Sequence, residues 1–125
     1  MNVRRVVRVV IVILLLLFPM LSMAKTIICN RVNNPHEDAF VFTVPATIGE
    51  LPMVDFPYPA DAAIFSLRDN NFLIIAIDHD DKSRTRLVIS AQYQQATHDY
   101  RGQMVTDEGG NQLQLDNGPV ICRLK

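Results

Sequence analysis

The stretch AAIFSLRDNNFLIIAID, residues 62–78, decides the fold class. Two apolar runs flank the polar triplet Asp69-Asn70-Asn71. In the first run Ala63, Phe65 and Leu67 alternate with Ser66 and Arg68, the period of two that a strand with one buried face requires. A short helix over 60–69, opened by Pro59 or Ala60, is the competing reading and explains that alternation less well. The second run holds six consecutive apolar residues, FLIIAI, bounded by turn formers. It reads as a central strand with both faces apolar, and the two runs together as a hairpin.

The same period continues in both directions. After the turn HDDKS, residues 84–93 (RTRLVISAQY) alternate Thr85, Leu87 and Ile89 with Arg86, Val88 and Ser90. Residues 100–106 (YRGQMVT), 111–116 (NQLQLD) and 119–124 (PVICRL) follow as further strands. Gly109-Gly110 and Asn117-Gly118 are expected to supply the positive φ of tight hairpin turns between them. On the N-terminal side lie KTIICNRV (25–32) and AFVFTV (39–44), rich in β-branched and aromatic residues. Between these and the hairpin stands PATIGELPMVDFPYPAD, residues 45–61, with four of the seven prolines. Prolines lack the backbone donor of a paired strand, yet Ile48, Leu51, Met53, Val54, Phe56 and Tyr58 are too many apolar side chains for a solvated linker. The segment is expected to be an ordered loop covering either a barrel mouth or the second face of the FLIIAI strand.

Residues 1–24 read as a cleaved secretory signal. Arg4, Arg5 and Arg8 precede the apolar run VVIVILLLLF, Pro19 ends it, and Ser22 and Ala24 sit at minus three and minus one of the cleavage point. The run is short for a membrane span of roughly 20 apolar residues, so the only membrane contact expected is through this segment if it is retained. Without its three arginines the remaining 101 residues carry nine Lys and Arg against thirteen Asp and Glu, a net charge of −4. That balance excludes nucleic acid as the expected partner, because phosphate binding needs clustered cations.

Export also decides the cysteines. Cys29 and Cys122 are the only two, and in an oxidising compartment such a pair bonds. Cys29 lies in the first strand and Cys122 in the last, so the bridge brings these strands together. The expected fold is therefore all-β: one domain over 25–125, an antiparallel meander of seven or eight strands closed into a barrel or sandwich. Closing a loop of roughly 90 residues stabilises such a fold by roughly 4–5 kcal/mol on the chain-entropy account.

No residues arrange themselves as a recognisable catalytic motif. Ser66, Ser83 and Ser90 lie in no nucleophile turn. Asp78, Asp80 and Asp81 offer hard oxygens, but without the glycine and distal glutamate of a calcium loop, and read as solvated turn acids offset by Lys82, Arg84 and Arg86. His36, His79 and His98, with neighbouring acids, form the alternative reading of a secreted metal protein or hydrolase. No cofactor is expected, and an enzyme is not the preferred reading.

In plan (signal segment, about 100 residues, short strands, terminal disulfide) the chain resembles small exported bacterial β-barrel proteins, among them periplasmic inhibitors of C-type lysozyme. The serine-glycine-tyrosine loop of those inhibitors has no counterpart: Ser90-Ala91-Gln92-Tyr93 lacks the glycine and lies in a strand, so no residue is carried over. The expected function is an inhibitor-like binding module of the periplasm or envelope, with a protein or another envelope component as partner. Met53, Phe56 and Tyr58 are the expected contacts. A purely structural envelope component is the remaining alternative.

Overall fold

The computed structural model describes residues 25–33 and 40–125. The signal segment and His36-Glu37-Asp38 lie outside them. Seven strands form one antiparallel sheet: β1 (Thr26–Arg31), β2 (Phe40–Thr43), β3 (Ala60–Leu67), β4 (Asn71–Asp78), β5 (Thr85–Gln94), β6 (Asp99–Asp107) and β7 (Leu115–Leu124). Their order is β2-β1-β7-β6-β5-β4-β3. The hairpin of the opening stretch is β3–β4, and residues 60–67 are a strand as the alternation requires.

The sheet curls into a half-barrel. Phe42 on the β2 edge places its ring 6.0 Å from Phe65 on the β3 edge and 5.8 Å from Phe72 on β4. The concave side holds the core. Phe72, Ile74 and Ala76 of β4 lie opposite Ala91, Ile89 and Leu87 of β5. Met104 faces Ile89 from β6, and Val120 and Cys122 complete the layer from β7. Burying a side chain of this size contributes about 1.5–3 kcal/mol, and the alternation in the sequence exists to put these residues on one side.

Cys29 lies directly opposite Cys122 in the β1–β7 ladder, and the two are disulfide-bonded. The sheet edges, however, are not the first and last strands. β1 is flanked by β7 and by β2, which folds back outside it, so the open edges are β2 and β3. The disulfide therefore staples two neighbours within the sheet.

Two turn expectations are corrected. Asn117-Gly118 is no turn but the interior of β7, which runs unbroken from Leu115 to Leu124, and residues 111–114 belong to the loop before it. Pro119 is tolerated there because a residue's nitrogen and carbonyl point to the same neighbour in an antiparallel strand. Its carbonyl accepts from Val32 N–H at 3.0 Å, so the missing donor faces the end of β1 and leaves the β6 ladder whole. Nor do Gly109 and Gly110 take positive φ; among the described glycines only Gly49 does. Gly109 is needed for space instead, since a Cβ there would meet the Gln112 carbonyl at 1.9 Å.

Candidate interaction surface

The proline-rich segment is a strap across the open side of the half-barrel. From Leu51 to Pro59 it alternates without a ladder, and the alternation runs on into the start of β3: Pro52, Val54, Phe56, Tyr58 and Ala60 are buried or half-buried, while Leu51, Met53, Asp55, Pro57, Pro59 and Asp61 are exposed. The inward row is what fixes it. Val54 forms an isolated antiparallel bridge with Phe42. Phe56 lies 6.2 Å from Phe40 and stacks on Tyr58 at 5.9 Å. The Tyr58 hydroxyl donates to the Arg86 carbonyl at 3.4 Å and lies 3.1 Å from Thr106 Oγ1. At the end of the strap the Pro59 carbonyl accepts from His79 N–H at 3.0 Å.

Beneath Tyr58 lies a buried ionic network that the sequence reading placed in solvent. The ladder skips Arg86, since Ala76 pairs with Leu87 and Ile77 with Thr85. This bulge turns Arg86 inward beside Leu87, and both are buried. Its guanidinium donates to Asp78 Oδ1 at 2.6 Å, to the Asp107 carbonyl at 2.8 Å and to the Gly109 carbonyl at 3.1 Å. It also sits 4.5 Å from the Tyr58 ring centre, a cation–π contact. Arg84 donates to Asp107 Oδ2 at 2.6 Å and to the carbonyls of Gly109 and Gly110. Asp107 accepts from Gly109 and Gln114 N–H as well, and the Arg84 guanidinium above all holds its carboxyl far below the usual range. The N–H of Asp81, then Arg86, lower the carboxyl of Asp78. Burial raises the Tyr58 phenol. Among the described residues no buried side-chain nitrogen or oxygen lacks a partner. The network is complete in itself and anchors the strap.

What the strap displays lies at its other end. The Glu50 N–H donates to the Thr47 carbonyl at 3.2 Å, and Gly49 has φ 93°, as the third position of a type II turn demands. Ile48 occupies the second position, and its side chain is 104% exposed. Met53 is 96% exposed and Leu51 about half. Of the three residues expected at a contact, Met53 points outward, whereas Phe56 and Tyr58 have partners inside the molecule. Ile48 and Leu51 were named in the sequence only as apolar members of the segment; the Thr-Ile-Gly-Glu turn signal could have singled out Ile48.

The strap covers the concave side and not the second face of β4. Leu73, Ile75 and Ile77 therefore stand half-buried on the convex face, so of the two positions expected for the loop the second face of this strand is not the one it takes. Ile64, Ile75, Val88 and Val105 lie in register across four strands there, and Ile64 and Val105 are exposed at the two ends of the row.

The histidines are kept apart. His79 precedes β5 and His98 follows it, so the ten residues of that strand, roughly 30 Å, separate them. His79 Nδ1 pairs with Asp61 Oδ2 at 2.7 Å, which raises its pKa. His98 Nδ1 lies 3.2 Å from the Tyr93 hydroxyl. Among the described residues no group of three or more His, Cys, Asp or Glu side chains could hold a metal ion. Asp80 and Asp81 are exposed turn residues, and Ser83 donates to Asp81. Arg101 and Thr97 lower the carboxyl of Asp99 at the opposite end of β5. Ser66 and Ser90 are strand residues. No protein-family model, curated protein or solved structure matches the chain.

Proposed function

We propose that the protein is an exported binding module of the bacterial periplasm or envelope, acting without catalysis through the outer rim of its strap. Ile48, Leu51 and Met53 are the contacts, and Phe56 and Tyr58 hold the rim in place from below. The carrying observation is the full exposure of Ile48 and Met53 on a segment otherwise fastened to the core. Free apolar side chains on a stiff support lose little entropy when a partner covers them. Residues 1–24, cleaved after Ala24, and the Cys29–Cys122 disulfide are both consistent with an oxidising compartment. In this reading the strap stands where an eighth strand would close the half-barrel.

The test is affinity capture from an envelope extract with wild type and the double variant Ile48→Ser/Met53→Ser. Loss of the captured protein with an unchanged melting temperature supports the rim. Equal capture removes it. A second reading, favoured by the aliphatic row on the convex face, seats the partner on Ile64, Ile75, Val88 and Val105. Under that reading Ile64→Ser/Val105→Ser loses capture and the rim variant keeps it.

A further inference from the structure

From Val44 to Leu67 the chain contains no lysine, arginine or histidine, and three acids: Glu50, Asp55 and Asp61. All three side chains are exposed. Elsewhere among the described residues most acids are matched, the exceptions being Asp69, Asp80 and Asp81 in the turns on either side of β4. Arg31 pairs with Asp116 and Glu108, Arg84 with Asp107, Arg86 with Asp78, and Arg101 with Asp99. Asp61 itself is held by His79 and lies 3.9 Å from Lys82. Among the described residues Glu50 and Asp55 have no cation within ion-pair distance. They bracket the apolar rim: Glu50 follows the Ile48-Gly49 turn, and Asp55 is the next outward position after Met53, roughly 7 Å along the extended chain. Among the described residues the cations with no acid within ion-pair distance, Lys25, Arg68, Arg123 and Lys125, all lie outside the segment.

We infer that the strap recognises a basic polypeptide segment carrying apolar side chains, Ile48, Leu51 and Met53 receiving the apolar groups and Glu50 and Asp55 the cations. The inference rests on the proposed contact surface and names its partner's chemistry. The same two carboxylates repel a nucleic-acid backbone and an anionic membrane surface, and residues 25–125, with nine Lys and Arg against thirteen Asp and Glu, favour the approach of a cation to an apolar rim flanked by two unpaired acids. A second copy of this chain is disfavoured for the same reason.

The test pans the full chain, expressed with its own N-terminal segment and purified as the cell leaves it, against a displayed library of random peptides. Ile48→Ser/Met53→Ser and Glu50→Lys/Asp55→Lys serve as comparison baits. All four positions are exposed, and thermal melts confirm that each variant folds. The expected peptides combine net positive charge with aliphatic or aromatic residues and fail on both variants. Their affinity falls as salt rises from roughly 50 to 200 mM, because exposed charges are screened. Peptides of zero or negative charge that need Ile48 and Met53 but bind Glu50→Lys/Asp55→Lys overturn the basic partner and leave the rim standing. Peptides that bind Ile48→Ser/Met53→Ser as well as wild type overturn both.

Discussion

Strand β4 and the strap both alternate with a period of two, one residue in and one residue out. They are held by different forces. β4 has a hydrogen-bonded neighbour on each side, β3 and β5, and a buried residue at every inward position. The strap shares one isolated bridge, Phe42–Val54, and depends on the side chains beneath it. Alternation therefore reports which way side chains face and leaves open whether the backbone is paired. Prolines at 52, 57 and 59 keep the strap out of the ladder, and that exclusion leaves its outer row free for a partner.

The largest expected effect tests the sheet alone. Replacing Cys29 and Cys122 by alanine releases the 93-residue separation they span and should cost roughly 4–5 kcal/mol in denaturant unfolding. Both neighbours of the bridge remain paired in the ladder, so the strand pattern of the circular dichroism spectrum should persist. Its loss would mean that the disulfide, and not the β1–β7 pairing, makes the half-barrel.

Next comes the direct contrast. Phe72 is 1% exposed and touches Phe42, Phe65 and Tyr100, so Phe72→Ala should cost about 3–5 kcal/mol. Phe56 is half-buried over the same core, and Phe56→Ala should cost only about 1–2 kcal/mol, while freeing the strap to local exchange. Equal costs would show that strap and sheet unfold as one unit.

The smallest effects are in pH, and they separate the two regions by sign. Asp78, Asp99 and Asp107 have folded pKa values below the ordinary carboxylate range. Their contribution is complete above about pH 5 and is lost as pH falls through the ordinary value toward the folded one. His79 is the reverse. Its pKa is raised by Asp61, so its contribution is present below about pH 6 and is lost as pH rises through the folded value. Acid should weaken global stability, read as a falling urea midpoint, and Asp107→Ala should flatten that limb. Neutral-to-alkaline pH should loosen only the strap root at Pro59–Asp61, and Asp61→Asn should abolish that change. A urea midpoint indifferent to acid would contradict the assigned network.

Much of the sheet was legible in the sequence because one-sided burial forces alternation. Residues 62–78 gave the β3–β4 hairpin, and the cysteine positions gave the β1–β7 neighbourhood. The edges were not legible, since nothing local says that β2 folds back outside β1. The buried arginines were hidden for a sharper reason. Arg86 alternates with Leu87 as if it faced solvent, and a single bulge puts both inside. Asn117-Gly118 carried a turn signal overridden by its pairing with Val105 and Met104. In the strap, apolar content showed that the segment is ordered but could not show which members face inward. Phe56 and Tyr58 are the larger rings and belong to the anchor; the smaller Ile48 and Met53 belong to the rim.

Amide hydrogen exchange of the protein with and without its captured partner reads the binding surface most directly. If the strap rim is the contact, added protection falls on residues 47–56 and leaves the amides of Leu73, Ile75, Val88 and Val105 unchanged. Protection of the convex face, with the rim exchanging as in the free protein, would contradict it.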